Sequence, residues 1–445
     1  MNNSTLSFDF PAGSREVLAS FDGGDLSSDA GILLLAQIDK SVGLTSAMAT
    51  TLSERRQKSK VRFDILTLLR ERIFAIAAGY EDCNDLDTLR DDPSLRLACG
   101  SDLSSASALA SQPTLSRFEN GFSRRDLMRL GKLLARQVVA QLPADTKHLY
   151  FDVDATIDPC HGQQELSLFD GHAGTRSYQP LLGFVTDETG KQRLMGALLR
   201  SAVGASNKGV MGFLRMGVRI LRERFPSIEI TVRGDSAFGY CKVLNWCAKM
   251  GIGYVLGMKP YQPISKAALP AQMEAAVWAR FKPKGHRVFD ELHHQANTWE
   301  QPCRVIIKAE VQGDVVDARF VVASDEEATP GALYTIYTQR GDIENRIKEF
   351  KLDLQSGRTS CHRFLANQFR LLLHHGAAFL MQALQQALAG TELCRAQCSR
   401  IRLRLLKVAA RVKVSCRRIL FHLPTAYPLQ SIWHTVLARL RAAAA

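Results

Sequence analysis

The sequence predicts an α/β fold, a mixed-sheet core carrying a β-rich insertion and flanked by helical N- and C-terminal domains. Three observations predict it. HLYFDVD at 148–154 alternates, with Leu149, Phe151 and Val153 on one face and Asp152 and Asp154 on the other. Strand-like and helix-like runs then follow one another to about 259, while the apolar spacing before 145 and after about 360 is helical.

In chain order, residues 1–145 read as a helical domain. Asp29 is positioned to cap GILLLAQI, and VRFDILTLLRERIFAIAAG has helical apolar spacing. A short helix follows Pro113, and Ser123 caps RRDLMRLGKLLARQVVAQL before Pro143. The Gly- and Asp-rich FDGGDLSSDAG reads as a turn. Across 146–259, HLYFDVD, PLLGFV and LMGALLR are three strands, SNKGVMGFLRMGVRILRERF is a helix, IEITVRGD a strand, the run around KVLNWCAKM a helix and IGYVLGM a fifth strand. Three antiparallel-type strands followed by alternating helix and strand is the order of a ribonuclease-H-like core. Residues 260–330 hold three more strand-like runs, HRVFDELHH, CRVIIKAEVQG and DARFVVASD, read as a β-rich insertion. A helix at 331–360 completes the core, and 361–445 reads as a basic helical region broken near its end by Pro424 and Pro428.

Composition narrows the class. With 445 residues the chain is long enough for two or three domains. Its 57 Lys plus Arg against 44 Asp plus Glu give a formal charge of +13, which favours a polyanionic partner. Much of that charge lies in the tail, where no acidic residue follows Glu392 and Arg400, Arg402, Arg404, Lys407 and Arg411 cluster as candidate contacts to a DNA backbone. The ten cysteines show no zinc-finger or disulfide pattern; Cys394 and Cys398 lack a second pair. The start MNNSTLSFDFPAGSREV has neither an apolar core nor a basic lead, and LLLHHGAAFLMQALQQALAG is interrupted by His and Gln. A cytoplasmic protein with no membrane partner is the expectation, and His374 and His375 read as core residues.

The chemistry is carried by acids at strand ends and on one helix. Two-metal phosphodiester chemistry needs carboxylates converging from different elements to hold two divalent ions about 3.5–4 Å apart. Asp154 ends one strand, Asp235 another, and Glu344 lies on the helix YTQRGDIENRIKEFK. Asp152 and Asp158 rival Asp154, and periodicity does not choose between them. Drawn as one regular helix with Tyr337 at zero, Arg340 falls at about −60°, Glu344 at about −20° and Lys351 at about −40°, a single polar stripe. Glu349 falls about 120° away and is rejected. Ile343, Ile347, Phe350 and Leu354 form the neighbouring apolar stripe.

The pattern Tyr-x2-Arg-x3-Glu-x6-Lys resembles the Y-R-E-K signature of DDE transposases from bacterial insertion sequences. HGQQELSLFDGHAGTRSYQPLLGFV, RGDSAFG and RLLKVAARVKVSCRRILFHLPTAYP resemble the insertion-sequence family numbered thirteen-eighty, so the likeness runs over nearly the whole chain. It implies a first motif Asp-x-Thr at Asp154-Ala155-Thr156, which selects Asp154, and a metal-binding triad of Asp154, Asp235 and Glu344. It also implies that Tyr337, Arg340 and Lys351 position DNA phosphate, and that Trp299 stacks on a base flipped out near the transposon end. The implied activity is cut-and-paste transposition with two Mg²⁺ ions, Mn²⁺ able to substitute. Double-stranded DNA ends and target DNA are the implied partners, in a DNA-bound homodimer. A ribonuclease-H-like structure-specific nuclease and a non-catalytic, transposase-derived DNA-binding protein are the alternatives. Arg358, His362 and Arg363 are further candidate phosphate contacts.

Overall fold

The computed structural model describes residues 5–8, 15–171, 173–202, 208–281, 286–313 and 315–444. The chain forms two compact units, one of residues 1–121, 353–355 and 376–445, the other of 122–352 and 356–375.

The second unit is built on one eight-stranded sheet: β1 His148–Ala155, β2 Leu181–Asp187, β3 Gln192–Leu198, β4 Glu229–Gly234, β5 Gly253–Met258, β6 Arg287–His294, β7 Cys303–Gln312 and β8 Val315–Ala323. Their spatial order is β6-β7-β8-β5-β4-β1-β2-β3. β1 pairs antiparallel with β2 and β2 with β3, while β4 lies parallel to both β1 and β5. The five core strands expected from the sequence are all present, with the first and fourth adjacent. The three strand-like runs after 286 are strands as well, and β8 pairs antiparallel with β5, so they extend the same sheet.

Helices α1 Arg124–Ala140, α2 Val210–Arg224, α3 Cys241–Met250, α4 Leu269–Phe281, α5 Pro330–Thr338 and α6 Gly341–Lys348 belong to this unit. Ser123 caps α1 as expected, in a reciprocal capping box with Asp126. Residues 206 and 207, the start of the expected SNKGVMGF helix, lie outside the described residues. Phe151 of β1 points at α2, where a Cβ on Gly217 would lie 2.4 Å from its ring; Gly183 and Gly196 make the same kind of space for Phe213. These close approaches, with Leu149 and Val153 fully buried, set β1 deep in the core. On β5, β7 and β8, Leu333 and Tyr334 of α5 pack against Val255, Ile306, Val321 and Ala323, which fixes the helix that leads to Arg340.

One expectation needs correction here. YTQRGDIENRIKEFK is not one regular helix: α5 ends at Thr338, α6 starts at Gly341, and Glu349–Asp353 is π-helical. A π turn takes an extra residue, so a wheel drawn at a constant 100° loses phase before Lys351. The apolar stripe nonetheless survives, with Ile343, Ile347, Phe350 and Leu354 all buried. Between β1 and β2 the chain also forms a small sheet of Asp158–Pro159, Leu168–Asp170 and Thr175–Tyr178, for which the sequence carries no clear alternation.

The first unit is largely helical, with Ile32–Val42, Leu44–Thr51, Ile65–Ala78 and Gln112–Glu119 as its main N-terminal helices. A buried pair joins Arg72 Nε to Glu119 Oε1 at 2.8 Å. Asp29 does not cap its helix. Its carboxylate is buried, 2.8 Å from Lys407 Nζ, and accepts a hydrogen bond from Tyr80 Oη at 2.8 Å. The tail is not wholly helical either: Ala410–Ser415 and Arg418–His422 form a hairpin, and Ala410 and Arg411 pair with Ser27 and Leu26. No single helix among the described residues is long and apolar enough to cross a membrane. None of the ten cysteines is in a disulfide among the described residues.

Candidate active site

The parallel ladder between β1 and β4 places Asp152 beside Arg233 and Val153 beside Gly234. Side chains alternate along a strand, and residues paired across a parallel ladder point the same way. One residue further, Asp154 and Asp235 therefore leave the two strand ends side by side on one face. Each carboxylate is steadied locally: Asp154 Oδ1 accepts from Ala155 N and Asp235 Oδ1 from Ala237 N, both at 2.8 Å. Glu344, exposed on α6, is close enough to act on Asp154 electrostatically. Burial pushes the Asp154 carboxyl up to about 6; Arg340 opposes this, and the Asp235 and Glu344 charges add to it.

Arg340 lies among these acids. Its Nη1 donates to Asp154 Oδ2 at 3.1 Å, and its guanidinium sits 5.6 Å from the centre of the Tyr337 ring. Burial lowers its pKa, but Asp154, Tyr337, Asp235 and Glu344 outweigh that and raise it overall. Tyr337 reaches the turn after β4. A Cβ on Gly257 would meet Tyr337 Oη at 2.8 Å, Ser236 N at 2.7 Å and the Asp235 carbonyl carbon at 3.0 Å, so glycine is what allows the phenol to reach the Asp235 turn.

The rival aspartates have partners of their own. Both Asp152 oxygens are taken, Oδ1 by Arg233 Nε at 2.7 Å and Oδ2 by Arg233 Nη2 at 2.9 Å and Thr186 Oγ1 at 3.0 Å. Asp158, also buried, lies 3.2 Å from Lys351 Nζ, which donates to Thr156 Oγ1 at 3.0 Å and to the Ile157 carbonyl. Lys351 is thus tied to the loop after β1, two to four residues beyond Asp154, and not to the carboxylates themselves. Glu349 pairs with Arg346 at 2.6 Å.

Asp154, Asp235, Tyr337 and Arg340 are therefore brought together, with Glu344 acting on Asp154 only through its charge and Lys351 at the margin. Trp299 is 8% exposed, and its ring stands nearly perpendicular to that of His294, 5.7 Å between centres. In the tail, Arg400, Arg404 and Arg411 are exposed, Arg404 lying 3.8 Å from Glu392. Arg402 and Lys407 point inward: Arg402 donates to the carbonyls of Ala77 and Asp353, and Lys407 sits on Asp29 and 3.7 Å from the Tyr80 ring centre. His374 and His375 are core residues, and His375 Nε2 lies 2.8 Å from the Leu194 carbonyl. Sequence reasoning missed Arg233 and Gly257. For Arg233 a signal existed: Asp152-x-Asp154 on one strand faces Arg233-x-Asp235 on the other, with opposite charges two residues before each candidate ligand.

The donor set, carboxylate oxygens only, has the chemistry that suits a hard divalent cation. Among the described residues no three His, Cys, Asp or Glu side chains are close enough as they stand to hold one, and the positive charge against Asp154 is Arg340. The sequence model of one family, described as transposase DDE domain, group 1, matches residues 10–445. No curated protein matches the chain.

Proposed function

The chain belongs to the group 1 DDE transposase domain family, and from that premise we propose that it cuts DNA at the ends of an insertion sequence and joins those ends to target DNA. The observation that carries this reading is the emergence of Asp154 and Asp235 from adjacent parallel strands beside Arg340, with Glu344 acting on the same carboxyl. The strand order β3-β2-β1-β4-β5, with its antiparallel and parallel pairings, supports a ribonuclease-H-like core.

Asp154, Asp235 and Glu344 would hold the ions, Mg²⁺ with Mn²⁺ as a substitute, which supply activation of the attacking oxygen and charge neutralisation at the leaving one. The protein's own groups do the rest. Arg340, whose guanidinium forks onto oxyanions, exchanges its contact with Asp154 for the scissile phosphate and holds that phosphate in line. Tyr337, wedged over Gly257, keeps the Asp235 turn in place and offers its phenol to a neighbouring phosphate. Lys351 steadies the Thr156–Asp158 loop, from which its partly exposed ammonium reaches a flanking phosphate as a point charge. In the first cut, water displaces one side of the phosphodiester, leaving a phosphate and a free hydroxyl; in joining, that hydroxyl attacks a target phosphodiester and displaces its alkoxide, which takes up a proton. The exposed Arg400, Arg404 and Arg411 bind DNA backbone without reading sequence. A homodimer holding two ends, acting in the bacterial cytoplasm, completes the reading.

The test is a cleavage assay on DNA carrying the insertion-sequence ends. Cleavage by the intact chain with Mg²⁺, absent in chelator and absent for Asp154→Ala, is the expected result. Equal cleavage with and without divalent ions overturns it.

A further inference from the structure

The pair formed by Arg233 and Asp152 lies one step below the candidate ligands and joins the elements that carry the two aspartates to the helix leading to Arg340. Arg233 sits on β4, two residues before Asp235; Asp152 sits on β1, two residues before Asp154. Two guanidinium nitrogens fork onto Asp152, and the third, Nη1, donates to the carbonyl of Ile336 on α5 at 3.1 Å, the residue before Tyr337 and four before Arg340. The Arg233 guanidinium also lies 4.0 Å from the Tyr150 ring centre, and Thr186 of β2 closes the remaining Asp152 oxygen. Arg233 is 2% exposed and Asp152 fully buried, so neither is free to meet DNA. Burying such a pair costs desolvation that apolar residues would avoid, so its use here calls for a directional role.

We propose that Arg233 is a positioning residue for strand cleavage: with Asp152 it locks the relative placement of the two aspartate-bearing strand ends and of the α5 terminus bearing Tyr337 and Arg340. Among the described residues, Asp154 and Asp235 bond to the backbone of their own turns and, for Asp154, to Arg340, so the strands beneath set their separation. A planar guanidinium is required, because three nitrogens in fixed directions serve a carboxylate and a carbonyl at once; a lysine ammonium meets the charge but not the two-way geometry.

The inference rests on the proposed cleavage activity and is tested in the full chain with Arg233→Lys. Thermal unfolding and binding to end DNA are expected to stay close to wild type. Single-turnover cleavage at saturating DNA should fall at least tenfold with the DNA half-saturation unchanged, and Mn²⁺ binding, measured by calorimetry without DNA, should weaken several-fold. If Arg233→Lys does not fold, Asp152→Asn, which keeps shape and one acceptor, reads the same quantities. Wild-type cleavage and Mn²⁺ affinity in the folded variant overturn the inference, as does a loss of cleavage that only tracks loss of folded protein. Those outcomes leave the function standing when wild type cleaves and Asp154→Ala does not; a wild type without divalent-dependent cleavage sinks both.

Discussion

Replacing Gly257 by alanine tests how the site is held without touching a carboxylate. The new Cβ would lie 2.7 Å from Ser236 N, 3.0 Å from the Asp235 carbonyl carbon and 2.8 Å from Tyr337 Oη. The phenol can swing aside, but the two backbone atoms cannot, so the Asp235 turn must move by several tenths of an ångström. Overpacking of this kind costs about 1–3 kcal/mol. In a unit of this size that lowers the melting temperature by roughly 2–4 °C per kcal/mol. The functional cost is larger, because misplacing a catalytic group by about 1 Å costs on the order of a hundredfold. Single-turnover cleavage of end DNA by Gly257→Ala is expected to fall about 10–100-fold, with end binding retained. Gly212→Ala is the control: nothing lies within 4 Å of its added Cβ on α2, and it should cleave normally with equal or slightly higher stability. Normal cleavage by Gly257→Ala would refute this placement of Tyr337 against the Asp235 turn.

Four further predictions concern other residues. Arg340→Lys keeps the charge but loses the fork, so cleavage should fall about tenfold or more at saturating Mg²⁺ without weaker metal binding; a collapse of metal binding instead would make Arg340 a support for the carboxylates. Burial raises the Glu71 carboxyl to about 8, against the bond from Ala110 N and the charge of Arg72. Because the folded value lies above the ordinary 4.5, this contribution to stability is full at low pH and is lost as pH rises through about 8, at most about 5 kcal/mol. Glu71→Gln should flatten the melting profile between pH 5 and 9, and an unchanged slope would exclude the mechanism. In the tail, neutralising Arg400, Arg404 and Arg411 together should lower the salt slope of DNA binding by about one unit for each phosphate they pair with. Lys407→Ala should instead reduce stability, by up to about 3 kcal/mol, since it strands the buried Asp29 carboxylate.

Much of the candidate site was legible because its aspartates stand at strand ends. HLYFDVD and IEITVRGD declare themselves by alternation, each ends in an aspartate, and the pairing of first and fourth strands follows from the element order. The apolar stripe Ile343, Ile347, Phe350 and Leu354 was equally clear, since burial of one face survives small changes of phase. What failed depended on phase or on distance. The break between Thr338 and Gly341 and the π turn at Glu349 change the winding, which hydrophobic spacing does not resolve, and Lys351 meets the Thr156–Asp158 loop instead. The hairpin at Ala410–Ser415 was obscured because its outward positions are Arg411 and Lys413, read as helix charge, while its sheet partner is the distant Leu26–Ser27. Arg402 and Lys407 counted as surface charge for the same reason: the carbonyl of Ala77 and the carboxylate of Asp29 that claim them lie more than 300 residues earlier. Arg233 is overlooked because its anion, Asp152, reads as a rival ligand, although opposite charges stand two residues before Asp154 and Asp235.

The central claim, that Asp154, Asp235 and Glu344 act as one metal-dependent cleavage site, is tested most directly by measuring cleavage of end DNA against end binding for their three alanine variants and for Glu349→Ala. Each triad variant should bind the ends with near wild-type affinity and lose at least a thousandfold in cleavage, about 4 kcal/mol of transition-state stabilisation. Glu349→Ala, whose carboxylate is held by Arg346, should cleave as wild type does. Near wild-type cleavage by any triad variant, or a folded but inactive Glu349→Ala, would contradict the account.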